Sequence, residues 1–64
     1  MKTVGRAIKE ARSKKRLSLS KLEEETKIKK DFIESLEKED WKALPEFPVL
    51  VGFVKNIAHA LGAN

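Results

Sequence analysis

Sixty-four residues, 41% of them hydrophobic and 38% charged, suffice for one small domain and leave no room for a second core. The chain has no cysteine and a single histidine, which excludes disulfides, thiolate metal sites and the Cys/His clusters that zinc requires. Its net charge of +4 is unevenly spread: residues 1–30 hold 11 Lys and Arg against 4 Glu, residues 31–64 only 3 Lys against 6 acids. One face for an anionic partner is one reading of that asymmetry; the plainer one is a set of solvated helix surfaces.

In chain order, Val4, Ala7, Ile8 and Ala11 step by three and four, predicting an amphipathic helix over about 4–15 with Thr3 as its N-cap. Its basic end, Lys14-Lys15-Arg16, suits the C-terminal dipole. Ser18 is placed to cap a second helix that buries Leu19 and Leu22 and ends near Thr26. About three residues later a new apolar period begins, so helices two and three must meet across a tight turn. The third helix, roughly 30–38, buries Phe32, Ile33 and Leu36. Asp40 can cap one further turn, and Trp41 is expected to be buried there, clamping the connection before Pro45 stops it. Pro48 suits the first turn of a last helix burying Leu50, Phe53, Val54, Ile57, Ala58 and Leu61, with Gly62 as its C-cap. The expectation is an all-α fold of about five helices in one domain, residues 1–64.

The start, MKTVGRAIKEARSKK, lacks the apolar core of a signal peptide, and Phe47–Phe53 is too short to span a bilayer. A cytoplasmic protein is expected, touching a membrane only through a segment outside this chain. No enzyme is expected either. A lone His59 beside an apolar stripe and three scattered glycines provide neither a nucleophile–base pair nor a phosphate-cradling loop. No cofactor and no metal are expected.

The stretch "KIKKDFIESLEKED" opens with Lys27, Lys29 and Lys30 and closes with four acids, so a polyanion would be drawn to its front and repelled by its back. Three lysines at a helix start oppose the dipole by a few tenths of a kcal/mol each, a local cost that favours a functional reason for them.

"LSLSKLEEETKIKKDFIESLE" resembles the helix-turn-helix core of Cro/C1-type, lambda-repressor-like proteins, whose motif maps onto Leu17, Leu22, Ile28, Ile33 and Glu37. That resemblance implies double-stranded DNA as partner. Lys30, Asp31 and Ser35 would face bases, with Ser18, Ser20, Lys21, Lys27, Lys29, Lys14, Lys15 and Arg16 along phosphates. It also implies a structural ion pair between Arg12 on helix one and Glu37 at the end of helix three. The chain departs from the pattern at Leu19, Glu23 and Lys27, where a phosphate-binding Gln, a small residue and a turn glycine are usual.

"VGRAIKEARSKKRLSL" with "LEKEDWKALPEFPVLVGFVKNIAHALG" is similar, over nearly the whole chain, to the cytoplasmic N-terminal domain of RodZ-type bacterial cell-shape proteins. Those domains share the repressor fold and dock on the bacterial actin MreB. By that resemblance Val49, Phe53 and Lys55 would form a protein-docking face, although Val49 and Val51 stand where an aromatic and a basic residue are usual. Fold likeness alone does not choose between the two partners.

Overall fold

A computed structural model describes residues 3–62. It contains α1 (Val4–Lys14), α2 (Leu19–Thr26), α3 (Lys30–Lys38) and α4 (Val49–Ala60), with a 3₁₀ turn at Trp41–Ala43 and, among the described residues, no strand. The expected fifth helix is therefore a single turn. Leu44, preceding Pro45, is driven to extended backbone (φ −108°, ψ 155°), which ends the turn before an α-helix can form.

Local chemistry sets two of the helix starts. The Thr3 hydroxyl accepts from the Arg6 amide (3.3 Å), and the Ser18 hydroxyl accepts from the Lys21 amide (3.0 Å). Asp40 makes no such side-chain bond. Its own amide instead donates to the Ser35 carbonyl (2.8 Å), closing the end of α3, and its backbone is not in a capping conformation.

The core is a cluster of Ile8, Leu22, Ile28, Ile33, Leu36, Leu50, Ile57 and Leu61. Phe32, Leu44, Phe53 and Val54 pack partly against it, and α3 lies in the middle, touched by α1, α2 and the 3₁₀ turn. The predicted apolar stripe of α1 holds at Ile8 and Ala11 but not at its start. Val4 and Ala7 are exposed, while Gly5 is buried beside Ile8. The cause is a close helix crossing: a Cβ on Gly5 would stand 2.5 Å from the Leu36 carbonyl oxygen and 2.9 Å from that of Glu37. The Gly5 amide also donates to the Glu39 carboxylate (3.2 Å), so the end of α3 caps the start of α1.

Trp41 is not buried as its position suggested; it is 49% exposed. Leu44 takes the inward position in this connection. The indole lies on the surface, lining a shallow groove with Pro45, Phe47 and Leu50. Truncating it would thus remove much less buried area than a core aromatic would.

Two glycine substitutions should separate backbone contact from helix propensity. Gly5→Ala forces Cβ into main-chain oxygens and should cost about 1–3 kcal/mol, lowering the melting temperature by roughly 10 °C in a domain of this size. Gly52, in the interior of α4, has nothing within 4 Å of an added Cβ. Gly52→Ala should therefore stabilise by about 0.5–1 kcal/mol. Thermal unfolding monitored by circular dichroism reads both; equal effects of the same sign would refute the crossing as the reason for Gly5.

Candidate nucleic-acid interface

The turn between α2 and α3, residues 27–29, is built from the inside out. Thr26 is buried; its hydroxyl donates to the Leu22 carbonyl (2.8 Å) and accepts from the Ile28 amide (3.2 Å). Asn56 of α4 donates to the Thr26 carbonyl (2.9 Å), so the last helix holds the turn from behind. Ile28 drops into the core, which leaves the flanking Lys27 and Lys29 in solvent. Lys27 takes a left-handed conformation (φ 63°, ψ 18°) at the position where glycine is more usual in repressor-type turns.

Lys29 caps nothing with its side chain. The Lys30 amide is instead met by the Glu23 carboxylate at 3.1 Å, reaching across from α2. Ile33 and Leu36 point inward, while Lys30, Asp31, Glu34 and Lys38 face out. Glu34 and Lys38 approach to 3.9 Å along that outer edge. A shallow groove of about 510 Å³ runs between the starts of α2 and α3, lined by Ser18, Leu19, Ser20, Lys30, Asp31 and Glu34, with Arg12 at its base.

The predicted DNA-facing residues thus fall into groups. Ser18, Ser20, Lys30 and Asp31 share the groove, and Lys27 and Lys29 are exposed on the turn that leads into α3. Lys21 is exposed on the first turn of α2. Ser35 is half-buried further along α3 and does not line the groove. The basic run is dispersed. Lys14 sits on the outer side of α1 with Arg6, Lys9 and Ser13. The Lys15 ammonium lies 3.2 Å from where a Gly62 Cβ would stand, at the C-terminal end of α4. Arg16 is exposed in a left-handed conformation (φ 56°).

Arg12 and Glu37 are joined as the resemblance implied. Arg12 Nε donates to Glu37 Oε2 (2.6 Å) and Nη2 to Oε1 (3.0 Å), while Nη1 donates to the Leu17 carbonyl (2.9 Å). The side chains are 16% and 5% exposed. The hydrogen bond to Glu37 raises the Arg12 pKa above its usual value; burial opposes this and the attraction of the carboxylate assists it.

The docking residues divide, and one of them packs against the first turn of α3. Phe53 is half-buried and faces Phe32, ring centroids 5.9 Å apart and inclined at 52°. Val49 and Lys55 are exposed. Lys55 borders an apolar depression formed by Val4, Trp41, Phe47, Leu50, Val51 and Val54.

The hydrogen bonds of Glu23, Glu39, Thr26 and Asn56 escaped the sequence reading. Their partners lie 7, 34, 2 and 30 residues away, and apart from the short Thr26 link no helical period would pair them.

An all-α unit with two helices meeting across a three-residue turn, the second presenting a basic front, defines a helix-turn-helix module. A family model described as a helix-turn-helix domain matches residues 7–64, and the chain belongs to that family. No curated protein and no solved structure matches it.

The ion pair gives a direct test. Arg12→Met leaves a nearly buried carboxylate unpaired and should cost about 3–5 kcal/mol, whereas Arg12→Met combined with Glu37→Leu should recover most of that loss. Urea unfolding of the unmodified protein, Arg12→Met, Glu37→Leu and the double variant measures the coupling; additive losses would show that the pair does not lock α1 to α3.

Proposed function

We propose that this chain is a non-catalytic, cytoplasmic DNA-binding module of the lambda-repressor-like, Cro/C1 type, in which α3 enters the major groove. The supporting observation is the turn: burial of Ile28 turns Lys27 and Lys29 out to solvent beside Lys30, at the mouth of a groove that carries the Ser18 and Ser20 hydroxyls. Lysine at that place can donate to guanine edges or phosphates, and the hydroxyls can donate to phosphate oxygens. Lys14, Lys15 and Arg16, at the end of α1 that leads into Ser18, add non-specific attraction for phosphate.

Charge reversal at Lys29 and Lys30 should weaken duplex binding and flatten its dependence on salt by about one unit of slope per lost phosphate contact. Both residues are exposed, so the fold should persist. Fluorescence anisotropy over a salt series reads both quantities. Absence of duplex binding by the unmodified protein at low salt would sink the proposal.

A second reading, a RodZ-like adaptor docking on MreB, is favoured by one observation: Trp41, Phe47, Val49 and Val51 are all exposed, with Phe47 74% accessible, and Trp41, Phe47 and Val51 share one apolar depression. Apolar surface of this kind suits a protein contact. The membrane link of such an adaptor would have to lie elsewhere, since among the described residues no helix is long and apolar enough to cross a bilayer. Val49→Asp separates the readings. It should leave DNA binding unchanged and abolish co-sedimentation with actin filaments; loss of DNA binding in a folded variant would mean that the nucleic acid sits on the wrong face.

A further inference from the structure

The basic front of α3 is already part-neutralised from within. Its first amide carries the Glu23 carboxylate at 3.1 Å, in the position that an incoming anion would take at a helix start. Glu23 is half-buried between α2 and α3, whereas its neighbours Glu24 and Glu25 are exposed on other faces of α2. Two further acids, Asp31 and Glu34, line the same groove as Lys30. Lys27, Lys29 and Lys30 therefore face a duplex with three carboxylates beside them, and of those Glu23 alone is bonded to the α3 start.

We infer that Glu23 is a built-in attenuator of phosphate binding: by bonding the Lys30 amide it positions α3 on α2 and, through its charge, lowers the affinity of this face for nucleic-acid phosphate. The inference rests on the DNA-binding reading and adds a residue that sets its strength. The two roles of Glu23 are separable chemically. The amide oxygen of glutamine can accept the same hydrogen bond without the charge, while alanine provides neither.

Glu23→Gln should melt close to the unmodified protein and Glu23→Ala below it. Binding of each to a short mixed-sequence DNA duplex, followed by anisotropy over a salt series, gives the decisive measurement. Removing one unit charge about 7 Å from a phosphate, in a water-like dielectric, should raise affinity about threefold at low salt. It should also steepen the salt dependence by up to about 0.9 of slope. Glu25→Gln, which makes the same change in net charge away from the α3 start, should move neither quantity appreciably. A purely structural Glu23 would leave both binding quantities of Glu23→Gln at the unmodified values, and that result would overturn the inference while leaving DNA binding intact. So would an equal gain in Glu25→Gln, which would assign the effect to net charge alone. If neither the unmodified protein nor Glu23→Gln binds duplex, the DNA-binding reading falls and takes the attenuator with it. If only Glu23→Gln binds, the unmodified protein is not a DNA binder, and the attenuator falls with the DNA-binding reading.

Discussion

Arg12 holds three parts of the chain at once. Its guanidinium takes both oxygens of Glu37 on α3 and the carbonyl of Leu17, and the Leu17 amide donates back to the Arg12 carbonyl at 3.2 Å. A planar fork with five donors is suited to this; lysine has no equivalent geometry. Burying such a pair adds little net stability, because desolvation of both charges offsets their attraction. What it does supply is discrimination: any arrangement of α1, the following turn and α3 that parts them strands a charge. The tilt of α3, and with it the presentation of Lys30 and Asp31, depends on this contact.

The helix ends show a second constraint. Arg16, Lys27 and Glu39, none of them glycine, adopt left-handed backbone after α1, α2 and α3. Each costs about 1–2 kcal/mol relative to glycine's easy access to that region, offset by bonds such as Leu17 amide to Arg12 carbonyl and Asp40 amide to Ser35 carbonyl. A side chain at these positions can be used. Glu39 turns the end of α3 and also caps α1 through the Gly5 amide. Neither α1 nor α2 has an acid in its first turn, and α3 has no local side-chain cap. Carboxylates from other elements, Glu39 for α1 and Glu23 for α3, take over that task. In so small a fold the capping of one helix is also the docking of another.

Charge and apolar surface are segregated along α3. Its start carries the lysines and the serine-lined groove, and its end leads into Trp41, Phe47 and the exposed valines of α4. About 12 Å of helix separates the two, from the rise per residue. The two regions are nonetheless linked, because Phe53 of α4 packs on Phe32 in the first turn of α3.

Much of this was legible from residue order alone. Three-four spacing located the four α-helices of the described residues, Thr3 and Ser18 announced the starts of the first two, and Leu22, Ile33, Leu36, Leu50, Ile57 and Leu61 are core as their phase required. Those features are local: helical period and capping involve residues within a turn or two of one another. The Arg12–Glu37 pair was legible only through family likeness, because nothing in the spacing of 25 residues brings the two together. Tertiary structure decided the rest. The close approach at Gly5 set that glycine, rather than Val4 or Ala7, against α3. Leu44 claimed the interior that Trp41 had been expected to fill. Glu23 and Glu39 found backbone amides 7 and 34 positions away, and Lys15 went to the end of α4 rather than staying with its basic neighbours. Each of these depends on how closely and at what angle two helices cross, a quantity set by the packing of the whole core rather than by any one segment.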